Sequence, residues 1–152
     1  MPEVTKRLRQ LQPANVEELA RFRDAAWSAG NGARLELCRR LLAERFGGLE
    51  ALASPPPPPP SAAGEVDPAK ASAIADWATS PLFDAADRAY LAFTEQFSTS
   101  VAHISDQEVS ALLEHSSEQE VFDFAVALYI IEMEMRMSIV ARAMLTTTEA
   151  SK

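Results

Sequence analysis

Few side chains in this chain could do chemistry, and their spacing limits what that chemistry could be. The one cysteine, Cys38, cannot form an intrachain disulfide or a four-cysteine zinc site. It lies two residues after Glu36 on the apolar side of a helical pattern, where a free thiol ordinarily serves as a small hydrophobe. The two histidines, His103 and His115, stand twelve residues apart, each just before a serine that can cap a helix. Neither HxxxH nor HExxH spacing occurs, so no metal site is expected. No glycine-rich phosphate loop follows a strand, and no cofactor is expected. Glu36 by itself reads as a helix-start or salt-bridge carboxylate.

The elements that must position these residues are helices. No stretch alternates polar and apolar residues at period two between turn residues, so no strand is expected. Residues 1–13 read as a loose N-terminal arm. Asn15 with Glu18 has the spacing of a capping box, and predicts a first helix to about Ser28. Gly30-Asn31-Gly32 ends it. A second helix from about Ala33 to Phe46 carries Leu35, Cys38, Leu41 and Leu42 at helical spacing, and Gly47-Gly48 stops it. Pro55–Pro60 is a run of six prolines inside a linker, 54–66, and favours a polyproline II spacer of roughly 19 Å. Asp67-Pro68 opens a helix that carries Ile74 and Trp77. Ser80-Pro81 breaks that pattern, and Asp84 caps a helix to Phe97. Ser105 with Glu108 opens a short helix through Leu112 and Leu113. Ser117 with Glu120 opens the longest one, to about Leu145. Val121–Ile131 is apolar nearly all round apart from Asp123, as a helix buried in a core or a subunit interface would be.

A length of 152 residues and 47% hydrophobic residues fit one domain, 1–152, with one core. The net charge of −8 argues against a nucleic-acid partner. That charge is uneven. Residues 1–48 hold nine Lys and Arg against six Asp and Glu, and the remainder five against sixteen. Solvated helix faces account for this, as would a basic first part docking on an acidic part of a neighbouring subunit. Charges interrupt every apolar run well short of the ~20 residues a bilayer requires, so no membrane span is expected. No apolar run follows Lys6, Arg7 and Arg9 as a signal peptide requires, so the expected location is cytoplasmic.

One passage carries a resemblance. Trp77–Phe97, WATSPLFDAADRAYLAFTEQF, resembles the second half of the alkylhydroperoxidase D-like (carboxymuconolactone decarboxylase) family. In that family a Glu-Leu pair precedes a Cys-x-x-Cys pair and a histidine, with the Trp-Ser-Pro-Leu-Phe element further on. Here Arg34-Leu35-Glu36-Leu37 puts Glu36 on the family glutamate. Gly48 and Ala51 take the cysteine places, Glu50 stands between them, and the histidine place falls near Pro55. Of the family's closing Asn-x-x-Asn-Arg pattern only Arg136 remains, with Glu132 and Met135 at the asparagine places. The resemblance covers about residues 30–145.

The resemblance implies an all-α bundle of about six helices that assembles as a dimer, trimer or hexamer. It also implies a lost reaction. A dipole-stabilised thiolate attacks peroxide and a second thiol resolves the sulfenic acid, so a chain without the pair cannot run the cycle. The expectation is a binding or structural oligomer, with Glu50 and Arg136 as pocket candidates for a small-molecule ligand. The alternative is the family's cysteine-independent acid–base chemistry, with Glu36 as the catalytic carboxylate, its pKa raised by burial.

Overall fold

Side-chain caps set where most of the helices begin. Asn31 Oδ1 accepts from Arg34 N at 3.1 Å, Asp67 Oδ1 from Ala69 N at 2.8 Å, and Asp84 Oδ1 from Asp87 N at 2.8 Å. Ser105 and Ser117 each donate their backbone N–H to the glutamate three residues on, Glu108 and Glu120. Each such cap satisfies a donor that the helix start otherwise leaves open, and contributes about 1 kcal/mol.

The structure is a computed structural model and describes residues 2–47 and 64–150. Glu50, the Gly48 and Ala51 positions and the Pro55–Pro60 run lie outside the described residues. The described chain is all-helical: α1 (Pro2–Leu11), α2 (Pro13–Ala29), α3 (Gly32–Arg45), α4 (Pro68–Ser72), α5 (Ala85–Thr99), α6 (Asp106–Leu113) and α7 (Glu118–Ala150). Short 3-10 turns at Ile74–Asp76 and Val101–His103 follow α4 and α5.

Helix α3 is the centre of the packing. It lies against α5 and α7, and α7 also packs along α2. Helix α6 closes one end against α5 and α7, while α1 lies along α2 and α7. Trp27, Leu35, Cys38, Leu42, Leu91, Leu112, Leu128 and Ile130 are buried together. Phe124 joins α7 to α5, edge-on to Tyr90 at 4.5 Å and tilted on Phe93 at 5.7 Å. Burying side chains of this size contributes about 1.5–3 kcal/mol each.

Several local expectations change. The N-terminal arm is helical from Pro2 and packed on α2 and α7. The Asn15–Glu18 box does not form, because α2 begins earlier, with Pro13 at its first turn. Asn15 instead donates to the Gln12 side chain, and Glu18 pairs with Arg21. The helix expected to carry Ile74 and Trp77 ends at Ser72 and tightens into a 3-10 turn. The long last helix runs past Leu145 to Ala150. It is not enclosed on all sides between Val121 and Ile131: Phe122 is 66% exposed and Tyr129 56%.

The Trp77–Ser80 turn is held by one side chain. Arg88 donates to the carbonyls of Trp77 at 3.0 Å, Ala78 at 2.5 Å and Ser80 at 2.6 Å. A planar guanidinium suits this, since its donors fan out in one plane. Downstream of the proline run, Gly64 rests on α3, where an added Cβ would meet the Ala33 nitrogen at 2.3 Å. Only glycine allows backbone that close.

Candidate functional site

Three residues of helix α3 could do chemistry, and each meets different surroundings. Cys38 points into the core. Its Sγ lies 4.0 Å from the Tyr90 carbonyl oxygen, beside Thr94, whose hydroxyl donates to the same oxygen at 2.8 Å. Burial pushes the thiol up to about 12, against a smaller opposing effect of Thr94. A thiol in that state forms no nucleophile at neutral pH.

Glu36 is buried and clamped by its own helix. Arg39 donates to Oε2 through Nε at 2.6 Å and to Oε1 through Nη2 at 3.0 Å. Arg40 Nε adds a third bond to Oε1 at 3.0 Å. The i,i+3 and i,i+4 spacings bring the arginines there. Both carboxylate oxygens are engaged.

Arg136 sits on α7, donates to Glu132 Oε1 at 2.7 Å, and lies over the Phe46 ring at 4.9 Å. It ties α7 to the end of α3. Two residues before it, Glu134 is buried with Arg23 4.0 Å away, and Arg23 is already bonded to Asp24 at 2.9 Å. Burial pushes the Glu134 carboxyl up to about 7; Arg23 opposes the shift and Asp24 adds to it. Sequence spacing does not single out Glu134, because it lies among methionines on a helix that is apolar over most of its surface. None of Glu36, Arg136 and Glu134 lines the cleft described next.

The first turn of α3 opens on a cleft of about 300 Å³ between the α2–α3 turn, α5 and the start of α7. Arg34 lies in it, its guanidinium carbon 4.5 Å from the centre of the Tyr90 ring. Asp87 Oδ1 is 3.9 Å from Arg34 Nε, and Asp87 is itself paired with Lys70. The buried Nε of Arg34 has no hydrogen-bond partner among the described residues. Tyr90 Oη and Ser116 Oγ are 2.6 Å apart on the wall, with His115 beside them. Leu35 and Phe124 supply apolar surface. Glu120 is at the rim, its carboxyl held below the usual range by the Ser117 backbone N–H and hydroxyl.

Sequence reading passes over Arg34, because its partners come from distant parts of the chain. His115 and Glu120 show in the sequence only as flank and member of a cap. Among the described residues, no group of three or more His, Cys, Asp or Glu could hold a metal ion, and no helix is long and apolar enough to cross a membrane. No protein-family model, no curated protein and no solved structure matches this chain.

Proposed function

We propose that this chain is a divergent relative of the alkylhydroperoxidase D-like proteins that acts as a ligand-binding or structural oligomer, without thiol peroxidase chemistry. The observation that carries the reading is the state of Cys38. The one sulfhydryl of the chain is sealed in the core, with its pKa far above neutrality. Glu36, the residue the alternative acid–base reading would use, has both oxygens tied to arginines of its own helix. A general base must reach the proton it removes, and nothing in this clamp offers substrate a place.

The oligomer rests on α7. Phe122, Tyr129, Met137, Val140 and Met144 are all exposed on that helix. Their spacing keeps them on one face over about 33 Å of helix. Soluble monomers rarely expose so long an apolar stripe, and pairing it with the same stripe of a second copy covers both at once.

Incubation with an alkyl hydroperoxide and a dithiol reductant tests the chemical part. The expected result is the uncatalysed rate; turnover that disappears in Cys38→Ser would overturn the reading. Light scattering tests the assembly. A multiple of the chain mass at micromolar concentration is expected, and the mass of one chain would remove the oligomer.

A further inference from the structure

We propose that the Arg34 cleft binds a small monocarboxylate with an apolar body. The inference rests on the ligand-binding part of the reading above and gives it a site and a ligand class. Its basis is a guanidinium that lies in the cleft without a side-chain hydrogen bond among the described residues. Arginine has five N–H donors in a fixed fork, and leaving a buried one unpaired costs free energy. The Arg34 side chain donates no hydrogen bond among the described residues, and its buried Nε, 3.9 Å from Asp87, has no hydrogen-bond partner. What holds it in place is indirect: the Tyr90 ring at 4.5 Å and Asp87 at 3.9 Å. These fix the group, and the Nη donors, which form no hydrogen bond among the described residues, are left to capture a planar anion at the cleft.

The walls narrow the class. Tyr90 and Ser116 form a hydroxyl pair at 2.6 Å, in which one hydrogen is used internally and the other remains to donate. Leu35 and Phe124 offer an apolar floor to the rest of the ligand. A volume of about 300 Å³ has room for a ligand the size of benzoate. Charge sets the valence. Lys70 and Arg34 share Asp87, and Asp84 and Glu120 also lie in the field of Arg34, so the cleft has at most one cation to offer and Glu120 at the rim opposes a second negative charge. A monoanion fits that balance, and a phosphate dianion or polyphosphate does not.

The test is titration of the full-length ¹⁵N-labelled protein with sodium benzoate, followed by amide shifts. Benzylamine and inorganic phosphate serve as comparison probes. The expected result is saturable benzoate binding, with shifts concentrated at residues 29–35 and 115–124. Arg34→Met should weaken it by about tenfold or more, the range of a lost charge-assisted bond. Glu120→Gln should tighten it by about two- to threefold, since it removes an exposed repelling charge. Arg21→Gln, away from the cleft, should leave it unchanged. Circular dichroism checks that Arg34→Met folds, and Glu120→Gln carries the test if it does not. The proposal is overturned by no saturable shifts, by equal binding in Arg34→Met, by Glu120→Gln weakening the complex, or by phosphate or benzylamine binding as tightly as benzoate. A chain that neither reduces peroxide nor takes up benzoate would lose this site and keep the thiol-free reading.

Discussion

Arg34 and Cys38 are one helical turn apart on α3, and Tyr90 touches the surroundings of both. At Cys38 the contact is the Tyr90 backbone carbonyl, deep in the core. At Arg34 it is the face of the Tyr90 ring, at the wall of an open cleft. The thiol is the more reactive group by type, and its surroundings have silenced it. The guanidinium is the less conspicuous one in the sequence, and its surroundings leave it with donors to spare. Chemical potential in this molecule is set by what encloses a side chain more than by which side chain it is.

The comparison can be broken at either position, and the sealed one should cost more. Leu42→Ala, next to Cys38 in the core, should lower stability by about 3 kcal/mol in urea unfolding, the usual cost of a buried leucine. A loss below about 1 kcal/mol would mean that the core there is loosely packed. Arg34→Met at the open position should stay within about 1 kcal/mol of wild type, because Asp87 keeps Lys70 and no hydrogen bond of the guanidinium is lost.

Glu134 sharpens the contrast through pH. Its folded pKa lies near 7, above the ordinary 4.5, so the folded state binds the proton more tightly than the unfolded state. The associated stability is fully present below about pH 4.5 and is lost as pH rises to 7. The loss amounts to about 3 kcal/mol at most. The groups around it are Arg23, Asp24 and Arg39. Asp84, Glu108 and Glu120 are shifted down, and their opposite slope falls below pH 4.5. Glu134→Gln should therefore equal wild type near pH 4.5 and exceed it at pH 8 by about 1–3 kcal/mol. Parallel stability curves for the two proteins would show that Glu134 does not titrate in this range.

The helical plan was legible because caps and breakers act locally. Asp67, Asp84, Ser105 and Ser117 each start a helix where their spacing says they should. Asn15 did not, since Pro13 suits a first helical turn and α2 starts there instead. The arm differs as well: it is helical from Pro2 and lies along α2 and α7, a neighbourhood that no local rule records. Of the candidate site residues, Glu36 and Arg136 lie in ion pairs formed within single helices. The cleft was illegible because Arg34, Tyr90 and Ser116 meet only through the tertiary fold. Arg88 teaches the reverse. It belongs to the Trp77–Phe97 passage, and its bonds serve the turn rather than any chemistry.

The central claim is that the only sulfhydryl is sealed, and thiol labelling tests it most directly. Native protein should leave Cys38 unmodified by an aromatic disulfide reagent at pH 8, while protein unfolded in guanidinium reacts at once and to one equivalent. The thiolate is scarce when the pKa is about 12, and access requires opening the core. Native labelling at the rate of the unfolded chain would contradict the account, because it would place a reactive thiolate at the surface of α3.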